Sequence, residues 1–143
     1  MTPAIRDIMS KDVQFANPET TLKDAASTMK TRDIGSMPVC EGRRVVGVIT
    51  DRDIAIRGVA EGRDPGSTRV REVMSKEIVS VREDSDLKEA EGLMQKRQLR
   101  RLPVLNGQGE LVGYLAMAKI ARTENAETCG QVLQGVSQPS KTH

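Results

Sequence analysis

Two residues at a boundary between a strand and a helix have the types and spacing to bind a ligand. The stretch from Val45 to Ile54 reads Val-Val-Gly-Val-Ile-Thr-Asp-Arg-Asp-Ile, an apolar run that predicts a buried strand followed by a helix. Free amides at a helix N-terminus attract anions, so a phosphate group suits this boundary. Thr50 and Asp53 also have the spacing of a helix-capping pair. The stretch therefore predicts either a phosphate-binding site or an ordinary helix cap.

Few other residues have the pattern of a catalytic or metal-binding site. The single histidine is His143, and Cys40 and Cys129 do not have the spacing of metal ligands. Asp51 and Asp53 are two positions apart at a helix start, so they point to different faces and do not form an acid–base pair. We therefore expect no enzyme activity, no metal and no cofactor. Both cysteines are expected to be reduced and packed, with a redox role for Cys40 left open.

The composition is that of an ordinary globular protein. The 143 residues carry a net charge of +2, and 37% of them are hydrophobic and 29% charged. Phe15 and Tyr114 are the only aromatic residues, which disfavours a platform that stacks nucleic-acid bases. Apolar runs fall far short of the ~20 residues that a membrane span needs, and the N-terminus lacks a signal-peptide pattern. We expect a cytoplasmic protein without nucleic-acid or membrane partners.

The sequence contains one internal repeat, which decides the architecture before any local pattern does. Residues 5–39 align with residues 70–104, both beginning with a Met-Ser-containing stretch, Ile-Arg-Asp-Ile-Met-Ser against Val-Arg-Glu-Val-Met-Ser. After one inserted residue, Val46-Gly47 aligns with Val112-Gly113. The predicted domains are a first repeat over 1–60, a linker over 61–69, a second repeat over 70–123 and a partly disordered C-terminal helix or tail over 124–143. Neither repeat is long enough to form a stable domain alone, so we expect the two to pack together.

Each repeat predicts the order helix, strand, helix, strand, strand, helix, and hence a mixed α/β (α+β) fold. Capping patterns start helices at Thr21 and Asp86, and Gly92 inside the second of these should have a close-packed neighbour. The remaining predicted elements are a short helix from Pro3 to Ile8 with a counterpart before Val70, strands Val13–Phe15 and Ile78–Val81, hairpin strands Met37–Cys40 with Val45–Ile49 and Leu102–Leu105 with Leu111–Leu115, and closing helices Asp51–Arg57 and Ala116–Arg122.

The repeated motifs resemble the cystathionine-β-synthase (CBS) domain pair, also called a Bateman module, over about residues 3–123. The marks are the two Met-Ser openings, Ile-Gly-Ser-Met-Pro-Val from Ile34, Leu-Arg-Arg-Leu-Pro-Val from Leu99, and Gly-Val-Ile-Thr-Asp-Arg-Asp from Gly47. The first half, with Pro-Val-Cys from Pro38 and Thr-Asp-Arg-Asp-Ile from Thr50, resembles small stand-alone bacterial members, including the hypoxic-response type. The resemblance implies tandem repeats with pseudo-two-fold symmetry, two clefts for adenosine-bearing ligands such as AMP, ADP, ATP, S-adenosylmethionine or NAD, and a homodimer.

The same resemblance implies a set of ligand-binding residues. Gly47, Thr50 and Asp53 match the family motif Gly-x-x-Thr-x-x-Asp, in which the threonine meets phosphate and the aspartate accepts from both ribose hydroxyls. Three further groups complete the expected site. Val13, Gln14 and Phe15 meet the edge of the adenine, and Ile34, Gly35, Met37 and Pro38 form an apolar wall. The basic residues of the site are Arg52, Arg100 and Arg101, of which the last two could reach phosphate. These residues are equally explained as a strand, a hairpin edge and a solvated helix end.

The second repeat departs from the motif. Ala116 stands where threonine belongs and Lys119 where aspartate belongs, so the ribose clamp is lost there and we expect one competent cleft per chain. The sequence therefore predicts a non-catalytic regulatory module that binds an adenine nucleotide (AMP, ADP or ATP) on Thr50 and Asp53 and acts on a separate effector protein. The alternative is a ligand-free structural or interaction protein that acts through dimerisation or a partner.

Overall fold

The computed structural model describes residues 3–123, which form a mixture of short helices and strands. In the first repeat these are α1 (Ile5–Ile8), α2 (Leu22–Arg32), β1 (Ser36–Glu41), β2 (Arg44–Thr50) and α3 (Asp51–Asp53), which continues directly into a π-helix (Ile54–Val59). In the second repeat they are a 3₁₀ turn (Val70–Glu72), β3 (Val81–Arg82), α4 (Leu87–Arg97), β4 (Arg101–Leu105) and β5 (Leu111–Ala116), followed by a helix over 117–123. The expected tail over 124–143, like Met1 and Thr2, lies outside the described residues.

Two helices begin where the capping patterns place them. The Thr21 hydroxyl accepts from the amide of Asp24 at 3.1 Å, and the Asp86 carboxylate accepts from the amide of Lys88 at 2.8 Å, so each satisfies a free N-terminal amide. The predicted cap at Asp86 is therefore confirmed. Asp33 and Gln98 end these helices in the left-handed conformation, with φ of 56° and 58°.

Two predicted strands are largely wrong, and prolines explain why. Ala16 makes an isolated parallel bridge with Val39 in place of a strand over Val13–Phe15. Extension of this ladder needs amide donors at Pro38 and Pro18, and proline has none. In the second repeat Glu83 stands in place of Pro18 and donates to Leu105 at 2.9 Å. There β3 forms, but only over Val81–Arg82, since Pro103 cannot donate to the segment before it.

The described residues form two compact units, and each contains a segment from both repeats. Unit N comprises Val13–Val79 and Gly107–Leu111, and unit C comprises 3–12, 80–106 and 112–123. The opening segment of each repeat thus belongs to the unit built mainly from the other repeat. No helix within residues 3–123 is long and apolar enough to cross a bilayer.

The core of unit N includes residues from both repeats. Val70 and Val73, from the second repeat, are 0% and 1% exposed and pack in one cluster with Ala16 and with side chains of α2, β1 and β2: Leu22, Ala25, Met29, Met37, Val39 and Ile49. In unit C the corresponding helix buries Leu87, Ala90 and Met94. Gly92 on that helix is exposed, and a Cβ added there would meet no atom within 4 Å, so the expected close packing at this glycine is wrong.

Candidate functional site

The boundary between β2 and α3 lies beside the start of β1. In the antiparallel hairpin Ser36 is the Cα partner of Thr50, and the amide of Asp51 donates to the carbonyl of Gly35 at 2.9 Å. The chain before β1 and the first turn of α3 are therefore adjacent. We call this place the junction, and it comprises residues 34–36 and 50–53.

Thr50 and Asp53 bond to each other across the start of α3. The Thr50 hydroxyl accepts from the amide of Asp53 at 2.9 Å, and Asp53 Oδ2 accepts from the amide of Thr50 at 3.0 Å. This reciprocal pair is a capping box and confirms the helix-cap interpretation. It fixes the rotamers of both side chains, which are half-buried.

The capping box leaves hydrogen-bonding capacity unused. A hydroxyl that accepts one bond still has its own proton to donate, and a carboxylate has about four acceptor sites. Within the described residues Oδ1 of Asp53 accepts no hydrogen bond. The cap is therefore compatible with a ligand contact at both side chains.

Gly35 lies in the junction beside the first residue of α3. A Cβ added there would lie 3.1 Å from Oδ2 of Asp51, tighter than an ordinary contact, so glycine allows the Asp51 carboxylate to approach the chain. Ile34 is half-buried and packs against the core of unit N. Gly35 thus lies next to the first residue of α3, and Ile34 precedes it in the chain.

Other predicted wall residues are placed differently. Met37 is 1% exposed and belongs to the core cluster of unit N, and Pro38 is also buried, so neither presents surface to a ligand in this structure. Val13 and Gln14 are half-buried, and Phe15 is 54% exposed. Since Ala16 pairs in parallel with Val39, this segment approaches β1 from the same end as the junction.

The basic residues of the expected site are divided between the units. Arg52 is exposed on the first turn of α3 in unit N, whereas Arg100 is exposed and Arg101 half-buried in unit C. Arg100 accepts at its carbonyl from the amide of Met117 at 2.8 Å, which repeats the bond between Gly35 and Asp51. The helix over 117–123 thus starts in the same way, but Ala116 cannot cap it with a side chain.

The glycine of the family motif has a packing role that the sequence interpretation missed. A Cβ on Gly47 would lie 2.8 Å from both Met74 Sδ and Ser75 O, and Val48 and Ser75 exchange two backbone hydrogen bonds of 2.9 Å. In unit C, Gly113 has the same relation to Met9 and Ser10. The Met-Ser pairs and the glycines that repeat in the sequence were the available signal for this contact.

Arg57 is a second residue that the sequence interpretation missed. Its Nη1 donates to the carbonyls of Val73 at 3.2 Å and Met74 at 3.4 Å. It therefore links the π-helix after the junction to the segment that pairs with β2.

Cys40 is the one cysteine within the described residues. It is 1% exposed on β1, and burial raises the pKa of its thiol to about 11, so it is protonated at neutral pH. Residues 3–123 contain no group of three or more His, Cys, Asp or Glu side chains placed to hold a metal ion.

A protein-family profile and two bacterial relatives match both repeats of this chain. The CBS domain profile matches residues 5–58 and 70–124. The chain is 41% identical over 135 residues to the CBS domain-containing protein YhcV of Bacillus subtilis, covering 94% of this chain and 95% of that protein. It is 36% identical over 140 residues to hypoxic response protein 1 of Mycobacterium tuberculosis, covering 97% and 96%.

Solved structures share the fold. The crystal structure of Hypoxic Response Protein I with two coordinated zinc ions matches with a TM-score of 0.77 and 37% identity, covering 84% of this chain and 98% of that one. CBSX2 in complex with AMP matches with a TM-score of 0.75, covering 87% and 98%, but at 23% identity it supports the fold alone. With both repeats matched and relatives covered almost end to end, the chain belongs to the CBS domain family and contains a pair of CBS domains.

Proposed function

We propose that this protein is a non-catalytic regulatory module that binds an adenine nucleotide at the junction of unit N. The observation that carries the proposal is the capping box, which holds Thr50 and Asp53 in fixed rotamers while leaving a hydroxyl proton and Oδ1 of Asp53 for a ligand. Oδ1 accepts from the ribose hydroxyls, and the Thr50 hydroxyl donates to phosphate.

Two further observations support the proposal: the second repeat lacks the motif, which favours one site per chain, and a related structure contains an adenine nucleotide. The corresponding positions of the second repeat are Ala116 and Lys119, and lysine has no acceptor for a diol. A CBS-pair structure contains AMP, which shows that the fold accommodates this class of ligand.

The test is titration calorimetry of the purified protein with AMP, after a thermal-shift comparison of AMP, ADP, ATP, S-adenosylmethionine and NAD. A ligand at 100 times its Kd adds about 2.7 kcal/mol to the free energy of unfolding. Asp53→Asn keeps an oxygen for the Thr50 amide but replaces the free acceptor with a donor. We expect one site per chain in the parent and about ten- to hundredfold weaker binding in the variant, as for loss of a charged hydrogen bond.

The chain offers a matched control. Asp24 stands three residues after Thr21, in the same Thr-x-x-Asp cap pattern on α2 of the same unit, so Asp24→Asn removes the same charge elsewhere. This variant should bind AMP like the parent. Equal affinity of the Asp53→Asn protein and the parent would refute the proposed site.

A second candidate function has its own support. Ile56 and Val59, three positions apart on the π-helix, are 46% and 64% exposed, which suits an apolar contact with another protein. On this view the capping box is only a helix cap and the module acts through a second copy of itself or an effector protein. No stabilisation by any of the five adenosine-containing ligands would favour it. The homodimer and the effector stay predictions.

A further inference from the structure

We propose that Arg57 is a positioning residue for the junction. Its guanidinium holds the segment 73–75 against β2 and, through β2 and the π-helix, fixes the backbone that carries Thr50 and Asp53. That the junction is a ligand site rests on the proposed function. That Arg57 holds the junction in place does not.

The contacts form a closed ring within unit N. Strand β2 leads into the junction, the junction into the π-helix, and Arg57 on that helix donates to the carbonyls of Val73 and Met74. The next residue, Ser75, exchanges two backbone hydrogen bonds with Val48 on β2. Release of Arg57 therefore opens the ring at its side-chain link and leaves the backbone pairing of Ser75 and the core packing of Val73 to hold the segment.

The backbone pairing is a weak attachment. Val48 and Ser75 form an isolated bridge, and residues 76–80 form no helix or strand. A single antiparallel pair lacks the neighbouring hydrogen bonds that stabilise a ladder. The Arg57 guanidinium adds a charged donor shared by two carbonyls of the same segment, at 3.2 and 3.4 Å.

The other repeat lacks this link. In unit C, Ser10 of the first repeat pairs with Tyr114 of the second in the same way, but the residue aligned with Arg57 is Thr123, whose hydroxyl donates to Lys119 within its own helix. Threonine, aspartate and arginine of the first repeat are thus replaced together by Ala116, Lys119 and Thr123. The link occurs in the repeat that has the complete motif, and we infer that the three residues act together.

The experiment measures amide hydrogen exchange by NMR on the full chain without nucleotide. Arg57→Gln removes the two charged hydrogen bonds, and the matched control is Arg43→Gln, an exposed arginine of the same unit. We expect the amides of Val48 and Ser75 to exchange about tenfold faster in the Arg57 variant. Those of Thr50 and Asp53, which are bonded across the cap, should also be faster.

If Arg57 has no positioning role, or if its loss destabilises the whole protein, the amide exchange rates change in a different pattern. Unchanged exchange at Val48 and Ser75, or an equal acceleration that includes the α2 amide of Ala25, would overturn the proposal. Arg57→Lys keeps a cationic donor and should restore part of the protection, whereas the Arg43 variant should match the parent.

AMP binding separates this inference from the proposed function. If the parent binds AMP, Arg57→Gln should weaken the affinity and Arg57→Lys should be intermediate, and equal affinities would contradict the positioning role. If the parent binds no AMP, the proposed function fails, and the exchange rates at Val48, Ser75, Thr50 and Asp53 still decide whether Arg57 holds the junction.

Discussion

Burial decides the chemistry of the Cys40 thiol. The side chain is 1% exposed within β1, and this environment disfavours the thiolate, raising the pKa to about 11. In the unfolded chain the same thiol loses its proton near its ordinary pKa of 9.0. The native state therefore keeps a proton that the unfolded state releases, so the contribution of Cys40 to stability falls as the pH rises from about 9 to about 11.

This linkage predicts a pH-dependent effect of Cys40→Ala. The variant loses packing at every pH, so it should be less stable than the parent at pH 7. The difference in the free energy of unfolding should shrink as the pH approaches 11, because only the parent carries the buried thiol. Urea unfolding of both proteins at several pH values measures it. A difference that stays constant between pH 8 and pH 11 would contradict the raised pKa.

At the scale of elements, close backbone approach determines where the strands and segments can pack. Gly47 lets the segment 73–75 lie against β2, and Gly113 does the same for residues 9–10 in unit C. Prolines act in the opposite sense, since Pro18 and Pro38 stop the parallel ladder at Ala16. The glycines therefore allow a backbone segment to pair with the strand, and the prolines limit the parallel pairing at Ala16 to a single bridge.

A pair of glycine substitutions tests the role of close approach. Gly47→Ala places a Cβ 2.8 Å from Ser75 O and should destabilise the protein by about 1–3 kcal/mol, as overpacking does. Gly92→Ala adds a Cβ in open space on α4 and should stabilise by about 0.5–1 kcal/mol through the lower entropy of the unfolded chain. Urea unfolding measures both changes. Equal effects of the two substitutions would argue against a tight contact at Gly47.

At the scale of the whole molecule, the repeats of the sequence differ from the compact units of the structure. Val70 and Val73 belong to the second repeat but are fully buried in the core of unit N. Residues 3–12 belong to the first repeat but to unit C. A cut at the boundary between the repeats therefore leaves the core of unit N incomplete.

Because the core of unit N includes residues of the second repeat, the structure predicts which fragments fold. Residues 1–69 lack Val70 and Val73, and loss of two core valines leaves a cavity that a small domain tolerates poorly. Residues 1–79 restore both side chains and the pairing of Ser75 with Val48. Thermal unfolding followed by circular dichroism should be cooperative for 1–79 and weak or absent for 1–69. Equally cooperative transitions in both fragments would contradict the assignment of Val70 and Val73 to this core.

The candidate site shows how far local sequence patterns reach. The cap at Thr50 and Asp53 follows from spacing alone, because both hydrogen bonds join residues three positions apart. The adjacency of Gly35 to α3 follows from a hairpin whose two strands are close in sequence. Met37 could not be placed from its pattern, because a residue between Gly-Ser and Pro-Val suits a ligand wall as well as a core.

The sequence by itself determined the repeat, the helix starts, the two hairpins and the family, because these depend on periodicity and on bonds between near neighbours. Only the tertiary structure decided the burial of Met37, the failure of the strand at Val13–Phe15, the packing of Val70 and Val73 in unit N and the link from Arg57. Each of these features depends on contacts between elements that are far apart along the chain. Their contacts depend on how the backbone closes in space, which no local pattern specifies.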